Sequence, residues 1–272
     1  MNKLPLFALL LTVSTIMWSC KNDEPKKVDS SPESFDSIEV STDTQEIEEM
    51  PPAAVDSVFN DFIEAFVNNK SFQLSRVQFP LAHIIDNKEN KISKEQWEYD
   101  PIHKNEDAFT MTFDRIGTRE NDKDSIPTKF LVEKINLDKG RIKQYQFIKN
   151  KGAWRLVGLN EHDIKANTDG EFYTFYQKFV SDENFQQARI MDPFTYKTFN
   201  EGSEYIEGTM VVEQWEGERP ELPSKEFTNF ICGDINPKSK SRTFVICSPT
   251  AENVTIEFRY WGSKWKLTSL EK

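Results

Sequence analysis

Few residues of this 272-residue chain have the types and spacing that chemistry requires. The histidines His83, His103 and His162 do not sit at metal-ligand intervals. Cys232 and Cys247 are not spaced as a zinc site. There is no glycine-rich phosphate loop and no Gly-x-Ser-x-Gly elbow. Asp114 and Asp234 each end an apolar strand, where a pocket carboxylate could sit or where an ordinary turn aspartate is found. Arg76 and Arg189 follow the same aromatic-Gln-x-x pattern. Each could grip an anionic ligand through two parallel hydrogen bonds, or pair with an acid of its own domain and pack its stem under a helix. Their presence in both halves of the chain favours the second use. No catalytic constellation, metal site or cofactor is implied.

Cys20 belongs to a different kind of chemistry. Asn2 and Lys3 give a short polar and basic start, residues 4–18 are mostly apolar, and Ser19 precedes Cys20. This is the order of a secretory signal, and the run is shorter than the roughly 20 apolar residues of a transmembrane helix. Met17-Trp18-Ser19-Cys20 resembles a bacterial lipobox, with bulky Trp18 as a departure from it. The resemblance implies cleavage after Ser19 and acylation of Cys20. Residues 21–55 carry three Lys against ten Asp and Glu, with Phe35 the one aromatic. Such a segment buries too little apolar surface to offset its ordering entropy. The expected organisation is a signal peptide at 1–19 and an acidic tether at 20–55.

The remainder repeats. Phe59, Phe62, Phe66, Phe72, Gln73, Arg76 and Pro80 recur 113 positions later as Phe172, Phe175, Phe179, Phe185, Gln186, Arg189 and Pro193. Phe147, Trp154, Leu156 and Leu159 recur as Phe258, Trp265, Leu267 and Leu270, and Gln96-Trp97-Glu98 resembles Gln214-Trp215-Glu216. A unit near 110 residues is too long for a solenoid repeat and has the size of a small domain. Two units are expected, 56–165 and 166–272.

Each unit opens with an amphipathic helix carrying an apolar stripe from Val58 to Val67 or from Phe172 to Val180. Asp56 and Asp169 stand before these helices as candidate caps. A short helix follows near 71–75 and 184–188. Strands are predicted over 109–113, 130–135, 142–148 and 154–159, then 227–232, 242–247, 254–261 and 265–270, divided by Asp138-Lys139-Gly140 and Asn150-Lys151-Gly152 turns. Helices first and a curved antiparallel sheet afterwards define an α+β architecture of two tandem cone-like domains.

The order of helix, short helix, Arg-[Val/Ile]-x-x-Pro, central Trp and final Trp-[Arg/Lys]-Leu strand resembles the nuclear transport factor 2-like, or ketosteroid-isomerase-like, cone. More narrowly it resembles a domain of unknown function carried by lipoproteins of Bacteroidota. In such cones two sheets commonly pack face to face, so the duplication implies an internal pseudo-dimer and a monomeric chain. The cone hosts isomerases, dehydratases and binders, so the resemblance transfers no reaction. Lys21-Asn22-Asp23-Glu24 resembles a Bacteroidota surface-export signal. Asp-Ser-apolar triplets at Ser37, Ser57 and Ser125 resemble O-glycan acceptors of that group.

The net charge of −11 lies mainly in the tether, and no basic cluster is present, so nucleic acid is not an expected partner. The expected place is the cell envelope, lipid-anchored to the outer membrane or exposed on the cell surface. The expected role is non-enzymatic binding of an envelope ligand or protein. An isomerase- or dehydratase-type enzyme and a structural spacer with aromatic-filled cones are the alternatives. Cys232 and Cys247 are read as facing residues of a hairpin turning at Ser239-Lys240, within cross-linking distance. Export would permit the disulfide; two buried thiols are the other state.

Overall fold

A computed structural model describes residues 53–103, 109–113, 128–199, 204–232, 239–247 and 252–272. Helix α1 (Phe59–Asn68) and helix α2 (Lys70–Arg76) come first. They are followed by β1 (Val77–Ile85), β2 (Lys88–Ile92), β3 (Phe109–Phe113), β4 (Lys129–Asn136), β5 (Arg141–Asn150) and β6 (Ala153–Asp163). The second half repeats this order with α3 (Gly170–Ser181), α4 (Glu183–Gln187), β7 (Ile190–Phe199), β8 (Tyr205–Met210), α5 (Trp215–Glu218), β9 (Glu226–Cys232), β10 (Ser241–Cys247), β11 (Val254–Trp261) and β12 (Lys264–Glu271). The helix stripes bury as their spacing predicts, with Phe62, Phe66, Phe172 and Phe179 fully enclosed. Gly170 starts α3 because a Cβ there would lie 2.6 Å from the Ile164 carbonyl oxygen. Lys151 and Gly152 both take positive φ, which fits the tight turn between β5 and β6.

All twelve described strands form one sheet in the order β2-β1-β6-β5-β4-β9-β3-β10-β11-β12-β7-β8. The order is palindromic by repeat except at its centre, where the third strands have changed places. β9 of the second repeat pairs antiparallel with β4 of the first, Phe130 facing Cys232. β3 of the first repeat pairs antiparallel with β10 of the second, Phe109 facing Cys247. β3 and β9 lie side by side and parallel. Two hairpins, β3–β4 and β9–β10, therefore interleave, each opened by one strand to admit a strand of the other. The repeats are joined through a continuous sheet, which replaces the face-to-face packing that the family resemblance implied.

This arrangement removes the basis of the expected disulfide. With β3 between them, β9 and β10 lie two ladder spacings apart, roughly 9.5 Å, beyond the ~4.4–6.8 Å that a disulfide bridges between Cα atoms. The ladders also set Cys232 and Cys247 at opposite ends of β3's neighbours. The hairpin reading failed because a turn-like linker fixes strand direction but not which strand is the neighbour.

The centre of the sheet serves both repeats. Successive side chains of a strand face opposite sides. Val132 of β4 and Phe230 of β9 join the core under α1, whereas Ile135 and Phe227 join the core under α3. A polar chain crosses this region. Thr110 and Thr112 of β3 donate to Asn229 Oδ1 at 3.0 and 2.9 Å. Asn229 Nδ2 donates to the Tyr173 hydroxyl at 3.0 Å, and that hydroxyl donates to Glu133 Oε2 at 2.6 Å. Glu133 Oε1 accepts from Gln144 and Asn167, both at 2.8 Å. Glu133 and Asn229 are 1% and 0% exposed. Burial, then the neighbouring Glu133 and Asp169 charges, push the Tyr173 phenol well above its usual pKa, so it remains a donor.

Asn229 is thus the acceptor for both exchanged threonines. Asn229→Ala should leave two buried hydroxyls without it and cost about 3 kcal/mol of stability in urea unfolding. A loss no larger than that of a surface Asn→Ala change would remove the network from the account.

Candidate functional site

The two arginines of the repeat have diverged in use. Arg76, 2% exposed, pairs with Asp56 at 2.8 Å. Asp56 also accepts from the backbone N–H groups of Ala53 and Trp154, at 2.7 and 3.0 Å. Arg76 is therefore part of a buried tie between the entry to α1, the end of α2 and β6. In the second repeat Asp169 instead takes two bonds from Arg242 of β10, at 2.7 Å each. Arg189 is left half-buried, its guanidinium 4.5 Å from the Phe185 ring centre. Neither aspartate caps its helix through the side chain, because both carboxylates serve arginines.

The structure separates the histidines. His83 Nε2 lies 3.0 Å from Glu161 Oε1. His162 is buried against Asn167, and desolvation followed by the Arg141 charge holds its pKa below the usual value. His103 packs edge-on to Phe109 and Phe230, and desolvation followed by Lys134 lowers its pKa as well. Ser57 is exposed, its hydroxyl donating to the Ala54 carbonyl at 2.8 Å. Cys20, Ser37, Asp114, Ser125 and Asp234 lie outside the described residues.

Convergent polar groups occur at the mouth of the first cone. A cleft of about 420 Å³ is bounded by His83, Ile92, the segment 96–101, Lys143 and Leu159. The segment is pinned at its base. Gln73 of α2 donates to the Phe66 and Asp100 carbonyls and accepts from the Asp100 N–H at 2.9 Å. Asp100 Oδ2 accepts from Lys143 Nζ at 2.8 Å and from the Tyr145 hydroxyl at 2.7 Å. Burial pushes the Asp100 pKa up, but the Lys143 charge and these hydrogen bonds outweigh it and hold the carboxyl below its usual range.

The second cone uses the same parts to close. Gln96 and Gln214 make the same turn, each Oε1 accepting the N–H three residues earlier, at 3.0 and 3.1 Å. After that the repeats part. Trp215 turns inward on the short helix α5, 2% exposed, between Phe179 and Phe194. Its indole N–H donates to Gln186 Oε1 at 2.9 Å. Gln186 is the repeat counterpart of Gln73, whose Oε1 is already occupied by the Asp100 N–H. Trp97 is therefore left half-buried on the cleft wall, edge-on to Phe79. The counterpart of Phe79 is Asp192, which offers no such surface. The sequence pair Gln-Trp-Glu marked both segments but not this difference; the signal lay in Phe79 against Asp192.

Helices laid across a curved, mainly antiparallel sheet, twice over, define a nuclear transport factor 2-like protein. The crystal structure of an NTF2-like protein from Bacteroides fragilis superposes with a TM-score of 0.72 at 27% identity, covering 82% of this chain and 98% of that one. The family described as Domain of unknown function (DUF4348) matches residues 39–272, and the chain belongs to it. No curated protein matches the chain.

The lowered histidine pKa values set a pH dependence. A group held neutral by burial binds its proton more weakly folded than unfolded. Stability is then full above the ordinary histidine pKa of 6.5 and falls as pH drops through it towards the folded value. Between pH 7.5 and about 5.5 the urea midpoint of the native chain should fall more than that of His103→Phe. Equal losses would contradict the assignment for His103.

Proposed function

We propose that the chain is a lipid-anchored protein of the cell envelope that binds a small ligand in the mouth of its first cone without converting it. The observation that carries this reading is the asymmetry of the repeats: Trp215 fills the second mouth, whereas Trp97 stands aside and leaves the first one open. A duplicated spacer would have no reason to keep one mouth open. The pairing of the cleft's titratable groups favours binding over catalysis. His83 is engaged by Glu161 and Lys143 by Asp100, whose lowered pKa makes it a weak base. The signal ending at Ser19, Cys20 and the acidic tether support anchoring by acylation, with the folded part held away from the outer membrane and facing the periplasm or the cell surface. Ser57, exposed beside α1, and Ser37 and Ser125 are proposed O-glycan acceptors.

Two measurements test the reading. Cys20→Ala should release the protein from the membrane fraction, and its unchanged retention would exclude the anchor. In a thermal-shift screen of neutral, anionic and cationic metabolites, stabilising compounds should lose their effect in Ile92→Trp, which narrows the cleft at its half-buried wall. Hits that survive this change would place the site elsewhere, and turnover of a hit would replace binding with catalysis.

A further inference from the structure

We propose that the ligand of the first cone is a neutral saccharide, one ring laid against the Trp97 indole and its hydroxyls held by Gln96, Asp100 and Lys143. The proposal rests on the reading of that mouth as the binding site. Charge is the first argument. The Lys143 ammonium of the wall is already matched by the Asp100 carboxylate at 2.8 Å, and His83 Nε2 is engaged by Glu161 Oε1 at 3.0 Å. Glu98 is exposed on the same wall. A phosphate or carboxylate ligand at the Asp100–Lys143 pair would meet a positive charge that is already matched, and would be repelled by Glu98.

Hydrogen-bonding capacity is the second. A hydroxyl both donates and accepts, so it is best held by a donor and an acceptor placed together. The Asp100 carboxylate accepts three bonds, from Lys143, Tyr145 and the Ile102 N–H, and retains acceptor capacity. Lys143 has spent one of its three N–H donors on Asp100. Gln96 spends its carbonyl oxygen on the Ser93 N–H, which leaves its amide donors for the cleft. The third argument is the apolar part. Trp97, Ile92 and Leu159 share the lining with these groups. The negative face of an aromatic ring favours polarised C–H edges such as those of a pyranose. A purely aliphatic ligand would bury Asp100 and Lys143 without restoring their lost water.

The test is calorimetric titration of the full-length chain in a non-sugar zwitterionic detergent. The probes are the hexasaccharides of glucose (α1,4 and β1,4), mannose, xylose and N-acetylglucosamine, with hexagalacturonate as the anionic probe. At least one neutral hexasaccharide should bind. Trp97→Ala should weaken that binding about tenfold, Trp97→Phe should retain most of it, and Trp261→Ala, at the exposed end of β11, should leave it unchanged. Binding of hexagalacturonate in preference to every neutral probe would overturn the proposal, as would binding indifferent to Trp97→Ala or no binding of any saccharide. If no saccharide binds but screen hits are still lost in Ile92→Trp, the ligand class is wrong and the site stands. If such hits are also missing, the site reading falls with it.

Discussion

The exchange of β3 and β9 between the repeats is the constraint from which the rest of the described structure follows. A cone of this kind has an open edge at its third strand, and an unpaired edge must be covered. Here each repeat covers the other's edge by lending its own third strand. Backbone pairing alone does not select that arrangement, since β3 against β4 would satisfy similar groups. Selection comes from side chains. Thr110 and Thr112 need an acceptor, and Asn229 supplies one only when β3 and β9 are adjacent. Tyr173 then relays the connection to Glu133, a buried carboxylate that accepts three hydrogen bonds. A buried polar chain in which every member is satisfied specifies neighbours more strictly than apolar packing does.

Joining the repeats in this way frees their outer ends to differ. The central strands are committed on both faces, to α1 on one side and to α3 on the other. The residues that differ, Trp97 and Trp215, pack on Phe79 of β1 and Phe194 of β7, outside the exchanged strands. In the second repeat the change is an inward tryptophan satisfied by Gln186. In the first it is a glutamine spent on a backbone amide and a tryptophan held outward by Phe79.

Much of the fold was legible because it is written in large aromatic residues at fixed spacing. The seven residues shared at offset 113 located both helix pairs, and the alternating strands were found within a residue or two of their limits, except β6, which runs four residues further, to Asp163. β1, β2, β7 and β8 were not found. β2 reads Lys-Glu-Asn-Lys-Ile and lies exposed at the sheet edge, so it carries no apolar alternation. The exchange was illegible for a different reason: pairing between distant strands leaves no local trace. Glu133 gave a faint one, a charge set between Val132 and Ile135 inside an apolar strand. Arg76 pairs with Asp56, one of the two uses the sequence left open, and Asp56 caps the short turn Ala54–Ser57 instead of α1.

Chemical cross-linking across the exchanged ladder tests this account most directly. Asn136 of β4 faces Glu226 of β9, and their side chains meet at 2.7 Å on the exposed side. If each repeat kept its own third strand, these positions would belong to different hairpins. The double variant Asn136→Cys with Glu226→Cys, oxidised and digested without reduction, should yield a peptide joining positions 136 and 226. A folded protein in which both introduced thiols remain unlinked would contradict the exchange.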